Sequence, residues 1–145
     1  MGQQQLLLLV LSTVIVGLAT VAGIQAFSEN QAQASQDALV QRGTSIASDI
    51  QGLAGKPTQM GGVELTSSGA SASQIVERLG YETDGSDDKV AAEGAGNSGQ
   101  CQIGTPGSNS VTITCSSDDA PQDVEVTVSP GNSAGNVIST SFTSS

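Results

Sequence analysis

Histidine and tryptophan are absent from these 145 residues, and the aromatic side chains are only Phe27, Tyr81 and Phe142. Without histidine no imidazole is available to activate a serine or cysteine nucleophile, and a common zinc ligand is missing. Cations are nearly as scarce. Arg42, Lys56, Arg78 and Lys89 stand against fourteen carboxylates, giving a net charge of −10. Nucleic-acid binding needs a cationic footprint, and so does docking onto an anionic lipid surface, so the balance points away from both. The glycines of "GGVE" and "EGAGNSG" lack the lysine and the strand–helix setting of a phosphate loop. No N-x-[ST] sequon occurs, which closes that route to glycosylation. The expectation is a non-enzymatic protein with no cofactor.

What is present begins with "MGQQQLLLLVLSTVIVGLATVAGIQAF". From Leu6 to Phe27 there is no charge, and all fourteen carboxylates follow Ser28. At ~1.5 Å rise per residue, a helix over this run covers the ~30 Å hydrocarbon core of a bilayer. It has no basic n-region, and the helical pattern runs on past it, unlike a cleaved secretory signal. Downstream, Leu39, Ile46, Ile50 and Leu53 recur at helical spacing with Gly43 between them, and Gly52, Gly55 and Pro57 mark the stop. The pattern predicts one nearly continuous helix over residues 3–54. It is apolar all round over 3–27 and amphipathic beyond, with Leu39, Ile46, Ile50 and Leu53 facing the head or a neighbouring helix.

Residues 55–145 are poor in bulky side chains and rich in Ser, Thr, Gly, Asn and Gln, so they support only a small core. A strand is expected at Val63–Ser67, and a short helix in "SASQIVERLGY" with Ser71 and Gln74 as a capping box and Gly80 as its end. "ETDGSDDKVAAEGAGNSG" reads as a long surface loop. "CQIG" and "SVTITCSS" flank "TPGSN", which is turn chemistry. A hairpin symmetric about Ser108 sets Cys101 opposite Cys115 and Ile103 opposite Ile113, a spacing compatible with one cross-strand disulfide. Two further strands are expected, one with Val124, Val126 and Val128 on one of its faces, the other with Ile138 and Phe142 on one of its faces. The fold class is therefore α+β: a long N-terminal helix packed at its upper end on a small antiparallel sheet.

Asp84, Asp87 and Asp88 form one acidic cluster and Asp118, Asp119 and Asp123 a second. Oxygen ligands on a glycine-containing loop suit calcium, which makes Asp84, Asp87 and Asp88 weak metal candidates. Neither cluster has the spacing of a helix–loop–helix calcium site, and a solvated acidic surface is the plainer reading.

A glycine followed by a polar residue, then an unbroken apolar helix that turns amphipathic, then a β-rich head with two cysteines, resembles the type IV pilin superfamily. The residues that carry the likeness are "GQQQLLLLVLSTVIVGLA". The resemblance implies cleavage by a prepilin-type peptidase between Gly2 and Gln3, retention of the helix in the membrane, and polymerisation by assembly machinery into an extracellular filament. The partners are then copies of this chain, with the cytoplasmic membrane as host before assembly. Bacterial members carry a glutamate at the fifth mature position. Here that position is Leu7 after a cut at Gly2, or Gln5 if Met1 is the mature start, and the glutamine-led start resembles the archaeal-type branch.

Small residues at Ser12, Gly17, Ala19, Ala22 and Gly23 permit close helix approach. The filament-core positions expected are Leu6, Leu9, Thr13, Val16, Gly17, Thr20, Gly23 and Phe27. Two alternatives share the same architecture: a single-pass anchored adhesion or binding module, and a pseudopilin of a secretion system.

Overall fold

The computed structural model describes residues 2–131 and 135–144. Helix α1 runs unbroken over Gly2–Ala54, and a short 3₁₀ turn follows at Thr58–Met60. Helix α2 covers Ala72–Leu79. Among the described residues five strands follow: β1 (Lys89–Ala91), β2 (Gln100–Ile103), β3 (Val111–Ser116), β4 (Asp123–Val128) and β5 (Ile138–Thr143). They form one antiparallel sheet in the order β1-β2-β3-β4-β5. The contacts divide the chain into two compact units, residues 1–32 and residues 33–145. The second half of α1 thus belongs with the head, because its apolar stripe supplies head core.

That stripe is Ser35, Leu39, Gly43, Ile46, Ala47, Ile50 and Leu53, all buried. The intervals of three and four keep these residues on one face of the helix. Opposite them, side chains alternate along the strands, so Val111, Ile113 and Cys115 of β3 and Val124, Val126 and Val128 of β4 point inward. Gly43 marks the closest approach. A β-carbon there would lie 2.9 Å from Val126 Cγ2 and 3.2 Å from Cys115 Sγ. Cys101 and Cys115 face each other across β2 and β3 and form the disulfide, fully buried beneath the helix. Ile103 pairs with Ile113 in the same ladder. The turn that joins the two strands places Ser108 and Asn109 at φ of 51° and 61°, the paired left-handed residues of a tight hairpin.

Helix α2 starts as its residues dictate. Ser71 Oγ accepts from the Gln74 backbone N–H, and Gln74 Oε1 accepts from the Ser71 N–H at 3.0 Å. Gly80 ends the helix at φ 75°. Ile75 and Val76 close one end of the core.

Two local expectations fail. Val63–Ser67 is not a strand. Val63 and Leu65 are buried while Glu64 is exposed, so the alternation reflects burial, but among the described residues no strand pairs with this segment to complete a ladder. Conversely, the segment after Tyr81 is not all loop. Lys89–Ala91 pairs with β2 as an edge strand, and Val90 is buried.

Candidate assembly surface

The described residues of the first unit are helical, and from Gly2 to Gln31 every one is exposed. Thirteen large apolar side chains between Leu6 and Phe27 are exposed, from 53 % for Val14 to 71 % for Phe27. At roughly 1.5–3 kcal/mol per buried large apolar side chain, their transfer out of water is worth on the order of 20–40 kcal/mol. No isolated helix leaves such a surface in water. The segment is long and apolar enough to cross a membrane.

The three hydroxyls of the run are already satisfied. Ser12 Oγ donates to the Leu8 carbonyl at 2.7 Å, Thr13 Oγ1 to Val10 at 2.8 Å and Thr20 Oγ1 to Val16 at 2.8 Å. Each hydroxyl therefore enters an apolar medium without an orphaned donor.

At ~100° per residue, Leu6, Leu9, Thr13, Val16, Gly17, Thr20, Gly23 and Phe27 fall within one face about 120° wide. The structure brings all eight expected core positions onto one side of the helix. Nothing lies within 4 Å of a β-carbon placed at Gly17 or Gly23, so both glycines are open shallows in that face. A neighbouring helix can approach closely there. Gln25 falls on the opposite side, with Leu7, Val14 and Leu18.

Gly2 and Gln3 lie in the first turn of α1. The alternative terminus, Met1, lies outside the described residues. Leu39, Ile46, Ile50 and Leu53, with exposures of 0 to 8 %, are spent on the head core and are not offered to a neighbour. Ser35 and Ala47 share that face and were not foreseen; their place in the run of intervals was the available signal.

The acidic cluster at Asp84, Asp87 and Asp88 does not converge. Asp84 lines an open groove of about 640 Å³ with Asp118 and Asp123. Asp87 borders a separate depression beside Tyr81. Asp88 Oδ2 accepts from Gln102 Nε2 at 2.7 Å. Among the described residues no three carboxylates come together to hold a metal ion. Neighbours along a turn need not share a focus, which is why these three disperse.

Against this geometry, comparison of the chain with protein-family models, curated proteins and solved structures returned no match.

Proposed function

We propose that this chain is a structural subunit of a type IV pilus-like filament. It is held in the cytoplasmic membrane by the first half of α1 and then polymerises outside the cell through that helix. The observation that carries the reading is the uncovered apolar helix of residues 6–27, with its hydroxyls bonded internally and two open glycines on one face. Such a segment suits lipid and a packed helix bundle equally well. The resemblance of "GQQQLLLLVLSTVIVGLA" to pilin starts adds the processing step between Gly2 and Gln3. The head supplies the solvent-facing, acidic surface and the adhesive or protective role of the fibre.

The test is direct. Filaments sheared from cells and analysed by intact mass are expected to contain this chain starting at Gln3. Recovery of the chain solely as a monomer in the membrane fraction sinks the filament and leaves a single-pass anchored module.

A further inference from the structure

The two edges of the head's sheet are built differently. At one edge, β1 has three residues, carries Lys89 and is bridged on its outer side by Thr83 to Val90. Short length, a lysine and a covering segment are the devices that keep an edge from pairing with another chain. At the other edge, β5 has six residues and none of these devices. It contains no proline and no charge, and it ends the strand order, so one side of its backbone has no ladder partner among the described residues. Five of its six residues are exposed.

We infer that β5 pairs antiparallel with β5 of a second copy of this chain, about a two-fold axis at Thr140. Three observations select that occupant. From Val126 to Ser145 the chain has no charged residue, although the molecule carries −10. A cationic partner would be drawn to the carboxylates. A partner as acidic as this chain meets least repulsion along this uncharged tract, and a second copy is such a partner.

The strand is also its own complement. Its pairing with β4 sets Ile138, Thr140 and Phe142 opposite Val128, Val126 and Val124, hence on the helix side of the sheet. Antiparallel pairing centred on Thr140 places each Phe142 directly across from the partner's Ile138. Phe142, 52 % exposed in the single chain, gains a β-branched cross-strand neighbour in that register. Finally, β1 is covered by the Thr83 bridge, so among the described residues β5 is the open sheet edge that a copy has to offer.

A two-fold contact closes on itself, whereas a growing filament needs a head-to-tail one. Where the chain forms fibres, and this part rests on the filament proposal, β5 pairing joins subunits of two neighbouring fibres. It is then a fibre-to-fibre adhesive contact.

The experiment uses the full-length chain in detergent micelles, each variant checked for native circular dichroism. Thr140→Cys under mild oxidation is expected to form a covalent dimer about tenfold faster than Ser68→Cys, on an exposed turn, because pairing raises the local thiol concentration. Adding Phe142→Lys to Thr140→Cys should return the rate to the Ser68→Cys level. A mixture of Ser139→Cys and Ser141→Cys chains should give heterodimers in excess of homodimers, since those positions face each other in this register. Equal rates for Thr140→Cys and Ser68→Cys, or a rate indifferent to Phe142→Lys, overturns the pairing. Micelles contain no fibres, so this result stands apart from the sheared-filament test.

Discussion

Tyr81 is the one tyrosine in the chain, and there is no tryptophan, so its ultraviolet signal is unobscured. Its hydroxyl donates to Asp49 Oδ2, and the Arg42 guanidinium lies 4.9 Å from the ring centroid. Arg42 Nε also donates to the Ala91 carbonyl at 3.2 Å, so one small clasp ties α1 to α2's exit and to β1. Burial, then the hydrogen bond and negative charge of Asp49, raise the Tyr81 pKa above 10.0, and Arg42 only partly opposes them. A raised folded-state pKa means the folded head holds this proton more tightly than the unfolded chain. The associated stability is complete below pH 10.0 and is lost as pH climbs through the folded value. Tyrosinate absorbance of the folded protein should therefore rise at a higher pH than in denaturant. Tyr81→Phe should cost about 1 kcal/mol at neutral pH and remove this share of the alkaline loss. An unshifted titration would show that neither burial nor Asp49 holds the phenol's proton. None of this clasp was legible beforehand, because its members lie far apart in sequence and meet through tertiary packing.

At the scale of elements, the decisive contact is the seat of α1 on β3 and β4 at Gly43. Glycine in a helix interior costs about 1 kcal/mol relative to alanine, so its presence calls for a steric reason. The reason is the methyl of Val126 and the Cys115 sulfur beneath it. Gly43→Val should lower head stability by roughly 2 kcal/mol or more, since overpacking of a close contact outweighs the propensity gained. Thermal unfolding measured beside Gly52→Ala, whose β-carbon meets nothing within 4 Å, isolates the effect. The stripe around Gly43 was readable from its intervals, and the β2–β3 register from the symmetric placement of two cysteines and two isoleucines. The capping box of α2 was readable as well, because its bonds are local. Val63–Ser67 and β1 were not. Both are short, and whether a short segment joins a ladder depends on which strand folding brings beside it, a fact its own residues do not carry.

For the whole molecule, the two units divide the labour. Residues 33–145 fold around a buried disulfide and a closed core, while residues 1–32 present apolar surface and no core of their own. The candidate site was legible in the sequence for that reason: an uncharged run of twenty-two residues needs no partner to be recognised. Which of its faces would do the packing in the proposed filament follows from the helix register. Gly17 tests that face cleanly. A larger side chain meets nothing within the chain, and leucine is at home in lipid, so Gly17→Leu should insert and fold normally. It should nevertheless reduce assembled filaments strongly, by keeping neighbouring backbones apart. Normal filament yield from this variant would move the helix contact to the opposite face. The internal bonding of Ser12, Thr13 and Thr20 bears on reversibility. Because none of these three hydroxyls needs a partner from outside the helix, a move of this segment from lipid into a helix bundle would break none of their hydrogen bonds. If the filament proposal holds, fit between surfaces would be left to separate the two environments, and a subunit drawn out of a fibre would re-enter the bilayer with these three bonds unchanged.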